Sequence, residues 1–167
     1  MVLHFSAFFT VFFVLAGCTH EDDGSPPMLV RTDASLLAEA CAVDSTLRTL
    51  EQIDNHIADR LPVRAAALIR DTALPSSRRT TEALRAVRVM TPEGRATKEL
   101  VVAAYSARVA ALDVWAQQLS LGETNDAAQL ATCRAHREAE QAVLDAIDAL
   151  EFLRREGRMR PTISRAR

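Results

Sequence analysis

Residues 100–116, LVVAAYSARVAALDVWA, contain only Arg108 and Asp113 as charged residues. A helix over this stretch is apolar around most of its circumference, so it must be covered on more than one side. The rest of the chain has to supply that cover. Its cleanest stripe at helical spacing is Val102, Tyr105, Val109, Leu112, Ala116 and Leu119. Tyr105 and Trp115 fall on or beside this stripe, where core packing accounts for both. The two charges and the alanine content argue against a membrane span. No segment shows the period of two that a strand requires, and the apolar share rests on alanine and leucine with few glycines or prolines. A chain of 167 residues suits one domain, here an all-α antiparallel helical bundle.

The remaining helices can be read from their breaks. From Asp33, taken as an N-cap, an apolar series runs through Leu36, Ala40, Val43, Leu47, Leu50, Ile57 and Leu61, which predicts one long first helix. Pro62 kinks it, and Ala65, Leu68 and Ile69 continue the pattern until TALPSSRR predicts a turn around Pro75. Ser76 or Ser77 then caps a segment containing Leu84, Val87 and Met90. Thr91-Pro92-Glu93 is a start signal, with threonine as cap, proline in the first helical position and an acid in the first turn. SLGETND closes the central helix at Gly122. Thr124 or Asn125 opens the last one, with Ala139, Val143, Ala146, Leu150 and Leu153 as its inner face and Gly157 as its C-cap.

Ahead of the bundle, residues 5–16, FSAFFTVFFVLA, have the length of a secretory apolar segment and fall short of the ~20 residues a spanning helix needs. They end in Leu15-Ala16-Gly17-Cys18, which resembles the lipobox of bacterial lipoproteins. The resemblance implies diacylglycerol on the Cys18 sulfur, cleavage between Gly17 and Cys18, and usually a third acyl chain on the new amino terminus. Such an anchor exceeds the two-signal threshold for stable attachment. The chain then divides into a signal peptide at 1–17, a flexible tether at 18–32, the helical bundle domain at 33–157 and a basic disordered tail at 158–167. Its expected place is the exported face of the bacterial cell envelope. Thr19 stands where an aspartate is associated with inner-membrane retention in enteric-type bacteria, which favours the outer membrane, facing the periplasm.

Setting Cys18 aside leaves Cys41 and Cys133, an even pair in a chain expected to reach an oxidising compartment. A disulfide between them would close a loop of about 90 residues and contribute on the order of 4 kcal/mol. Each cysteine lies at a similar depth from the start of its helix. A bridge therefore requires the first and last helices to run parallel, as in an up-down-up bundle of three long kinked helices. A regular four-helix bundle, the alternative arrangement, runs them antiparallel and separates the thiols.

Charge is unevenly spread. Arg60, Arg64, Arg70, Arg78, Arg79, Arg85 and Arg88 face only Asp71 and Glu82 in their own stretch, whereas the last helix is acid-rich. Complementary faces of neighbouring helices are the first account, and a basic patch for an anionic envelope component or a partner protein is the sharper one. No Gly-rich phosphate cradle, GxSxG, HExxH or paired CxxC occurs, so no catalytic residue is assigned. Cys133, His136 and Glu140 share one face of the last helix, but His56, the third ligand a metal would want, lies too far along the first. His20, beside Glu21, Asp22 and Asp23, reads as part of a hydrated linker. The chain is expected to be a non-enzymatic, lipid-anchored envelope protein with a structural or protein-interaction role, an unidentified protein partner, no cofactor, no metal and no nucleic acid. The alternative is a ligand- or metal-binding envelope lipoprotein.

Overall fold

A computed structural model describes residues 24–121 and 126–159, the side chains of 126–130 excepted. The elements are α1 (Pro27–Cys41), α2 (Thr46–Ala58), α3 (Pro62–Leu68), a π-helical turn (Ile69–Ala73), α4 (Leu74–Ala86), α5 (Pro92–Leu121) and α6 (Asp126–Glu156). All are helical, and no strand occurs among the described residues.

Side-chain bonds fix the direction of each arm. Thr91 just before α5 and Arg108 within it meet Asp33 and Asp44 in that order, so α1 runs parallel to α5. Arg70 reaches the Ala116 carbonyl at 3.4 Å and Lys98 reaches the Val87 carbonyl at 2.7 Å, so the α3–α4 arm runs against α5. Arg108 meets Glu140, and Trp115 stacks on His136, so α6 also runs against α5. The chain therefore goes up through α1 and α2, down through α3, the π turn and α4, up through α5 and down through α6. α1 closes the ring against α6, while α3 and α4 stand diagonal to α6 without close approach of their backbones. The molecule is an all-α bundle, and of the two expected arrangements the four-helix one matches its arms.

This direction of the arms explains a correction. The expected disulfide is not formed, and Cys41 and Cys133 are both free thiols. With α1 running against α6, Cys41 packs on the core that holds Val30, Leu37, Leu84, Tyr105, Val143 and Leu153. Cys133 packs on the other, formed by Ile53, Ala65, Ile69, Leu112, Trp115 and Leu119.

The first arm departs furthest from the expected pattern. Its helix starts at Pro27, inside the stretch read as tether, with proline at a position where a missing N–H costs nothing. Asp33 is not its N-cap but a buried residue within it. The arm then breaks over 42–45 without glycine or proline, because the Asp44 carboxylate accepts the Thr46 N–H at 3.0 Å and restarts the helix. The break shifts the phase of the apolar face. Val30, Ala34, Leu37 and Ile53 go inside, and Leu36, Val43 and Leu47, assigned to the core by spacing, are 39%, 58% and 59% exposed.

The turn expected around Pro75 does not form. Pro75 lacks an N–H, and its ring would press on the carbonyl one turn back in a regular helix. The π turn immediately before it widens the coil, so the arm continues through the proline. Ser76 and Ser77 are consequently not caps. They are buried in α4, where their hydroxyls meet those of Ser45 at 3.1 Å and Thr46 at 3.0 Å.

Candidate functional site

The stripe of α5 carries its one buried charge between the two cores. Arg108 is 1% exposed, donates to Asp44 at 2.6 Å and to Glu140 at 2.6 Å, and holds its guanidinium 5.0 Å from the centre of the Tyr105 ring. One cation thus joins the break of the first arm to the middle of the last. The two carboxylates differ. Burial pushes the Asp44 carboxyl up, but hydrogen bonds from the Thr46 hydroxyl and N–H, with Arg108, hold it below its ordinary value. At Glu140 burial outweighs Arg108 and the pKa is raised.

The same layer extends to both sides along α5. Below it, burial pushes the Cys41 thiol up to about 11, against a hydrogen bond with Tyr105. Burial likewise raises the Tyr105 phenol. Above it, His136 stacks on Trp115 with ring centres 4.4 Å apart and planes 23° apart. Burial lowers its pKa to about 4, with Arg108 and Arg137 acting in the same direction. At neutral pH the thiol is protonated, so Cys41 is a poor nucleophile. His136 is neutral. Arg108 Nε, Glu140 Oε1, His136 Nδ1 and Trp115 Nε1 are buried without a hydrogen-bond partner, which marks this layer as the costliest polar region of the bundle. Its geometry suits fixing the register of three arms.

The residues singled out by sequence are scattered. Cys18 and His20 lie outside the described residues. The Cys133, His136 and Glu140 face is divided, with Cys133 against the upper core, His136 on Trp115 and Glu140 on Arg108. Among the described residues no group of three His, Cys, Asp or Glu is placed to hold a metal ion. Sequence reasoning missed Arg108 and Asp44. The signal was present for Arg108, which lies one turn from Tyr105 and one from Leu112 and so falls on the buried stripe it interrupts.

Among the described residues no arginine of 60–88 pairs with an acid of the last helix, whose backbone stays apart from that of α3 and α4. Two acids of α6 pair within their own helix, Glu138 with Arg134 at 2.9 Å and Glu151 with Arg154 at 2.8 Å. The basic arm instead borders α5, and a groove of about 750 Å³ lies between them, lined by Arg85, Arg88, Arg95, Lys98 and Glu99 around Val87, Val89 and Val102. Compared with protein-family models, curated proteins and solved structures, the chain matches none.

Proposed function

We propose that this chain is an envelope lipoprotein, held to the membrane by acyl chains on Cys18, whose helical bundle has a structural or protein-binding role. Leu15-Ala16-Gly17-Cys18 supports the anchor. No described helix is long and apolar enough to cross a membrane. The observation that carries the binding role is the exposure of three aliphatic side chains on the first arm, Leu36 in α1, Val43 in the break and Leu47 in α2. Exposed aliphatics gathered into one patch mark an interaction face more often than aliphatics scattered singly. At the centre Arg108 ties Asp44 of the first arm to Glu140 of the last, which fits a scaffold.

Two measurements test this reading. Mass analysis of the mature amino terminus should show an acylated Cys18, and Cys18→Ser should release the protein from the membrane fraction. An unmodified, soluble wild type would refute the anchor. A photocrosslinker at Val43 or Leu47 should capture one discrete protein in the envelope, and Leu47→Glu in the same chain should abolish the adduct. A pattern unchanged by the charge would refute the face.

A further inference from the structure

The groove between α4 and α5 holds its cations in an unusual state. None of Arg85, Arg88, Arg95 and Lys98 is ion-paired among the described residues. Lys98 donates to the Arg85 and Val87 carbonyls at 2.7 Å each, fixed at the carbonyl end of α4 with one N–H to spare. Arg95 donates to the Met90 carbonyl at 3.0 Å and Arg85 to the Ser106 hydroxyl at 3.3 Å. These bonds position the cations. The charge of Arg95 also acts on the Asp33 and Glu93 carboxylates at the start of α5, and Arg85, Arg88 and Lys98 form no ion pair among the described residues. Glu99 is the one carboxylate in the lining, and Val87, Val89 and Val102 give the groove an apolar floor. Further along the same helix pair, a second groove balances Arg78 and Arg85 with Glu82 and Asp113. The excess of positive charge is therefore confined to one end.

That end is where the chain from the anchor enters. The Ser25 N–H donates to Glu93 at 3.2 Å, which places the start of the described chain beside the first turn of α5, at the same end of that helix as Arg95 and Lys98. The stretch from Cys18 to Gly24 can extend to at most roughly 20 Å. An acyl chain on Cys18 therefore keeps this end of the bundle close to the headgroups.

We propose that the groove rimmed by Arg85, Arg88, Arg95 and Lys98 binds the phosphate headgroup of an anionic phospholipid in the membrane that holds the anchor. The cations meet the phosphate, and the valine floor takes the apolar part nearest to it. The proposal rests on the lipoprotein reading for its choice of ligand, and its test is independent of acylation. The mature chain carrying Cys18→Ser is floated with phosphatidylcholine vesicles, with and without phosphatidylglycerol, and Trp115 fluorescence verifies the fold of every variant. Binding should require phosphatidylglycerol, and Arg88→Glu with Arg95→Glu should weaken it by about tenfold or more. Arg154→Glu with Arg155→Glu, a reversal at the same end of the bundle but outside the groove, should leave most of it. Equal loss in the two pairs, or no dependence on phosphatidylglycerol, would overturn the groove. Inorganic phosphate that binds as tightly as the vesicles would overturn the lipid as its ligand. An unacylated amino terminus found by mass analysis would refute the anchor without altering these vesicle results.

Discussion

His136 and Trp115 lie face to face between α5 and α6, so the protonation of one is read by the fluorescence of the other, and Trp115 is the chain's single tryptophan. An unfolded histidine titrates at about 6.5 and the folded one at about 4, so between these values the unfolded chain carries the extra proton. The stability gained by keeping His136 neutral is complete above pH 6.5 and is lost as the pH falls to about 4, a change on the order of 3 kcal/mol. Glu140 acts in the opposite sense, its raised pKa favouring the folded state as the pH falls. The difference between wild type and His136→Phe therefore isolates the histidine. Urea unfolding followed by Trp115 should show the wild type losing stability relative to the variant from pH 7 to pH 5. A constant gap would show that His136 does not stay neutral on folding. None of this stacking was legible in the sequence, because Trp115 and His136 meet only once α6 is laid against α5. Tyr105, Trp115 and the inner face of α6 were legible as core, since periodicity reports burial but not the identity of the neighbour.

At the level of elements, the start of α5 shows which signals are local and which are not. Thr91-Pro92-Glu93 could be read directly, and the Thr91 hydroxyl does accept the Gly94 N–H at 3.0 Å. The second cap could not. Asp33 accepts the Met90 and Thr91 N–H groups at 3.0 and 2.8 Å and the Thr91 hydroxyl at 2.7 Å, across 57 and 58 residues of sequence. Burial raises the Asp33 carboxyl, but these bonds outweigh it and hold the pKa below its ordinary value. Gly94 makes the approach possible, since a Cβ there would run into the Asp33 carboxylate. Gly94→Ala should therefore displace the cap and cost about 1 to 3 kcal/mol in urea unfolding, despite alanine's better helix propensity. In an Asp33→Ala background the same change should cost much less, because the obstructing group is gone. Additive costs would show that Gly94 matters for another reason. Local chemistry also misled at Pro75, where the helix-breaking rule is sound but a π turn absorbs the ring. It was silent at Ala42–Ser45, where only Asp44 beside Ser45 and Thr46 hinted at a restart.

Across the whole molecule the arms are unequally held. The backbone of α5 closely approaches α1, α3, the π turn, α4 and α6, whereas among the described residues that of α2 approaches α3, the π turn and α4 and reaches the α5 core through Ile53. The fully buried residues of α2 are Thr46, Thr49 and Ile53, with Leu50 and Ile57 only partly covered at the edge of the same core, so the upper half of the first arm has fewer buried apolar side chains than α5 with which to resist opening. Its junction with α1 is secured by Asp44 on Arg108, and the same guanidinium holds Glu140. The sequence offered the right number of apolar faces but not this hierarchy, because the row Leu36, Val43 and Leu47 read as core when the break was invisible. In native-state hydrogen exchange, amides of α2 should open at a lower free energy than those of α5, which should report global unfolding. Arg108→Met should lower global stability by about 3 to 5 kcal/mol, since Asp44 and Glu140 would be left buried without their cation. Its effect should reach α1, α2 and α6 together, because one side chain serves all three. A loss confined to α2 would mean that Arg108 fastens only the first arm. Exchange of α2 as slow as that of α5 would mean that the four arms form a single cooperative unit despite their unequal packing.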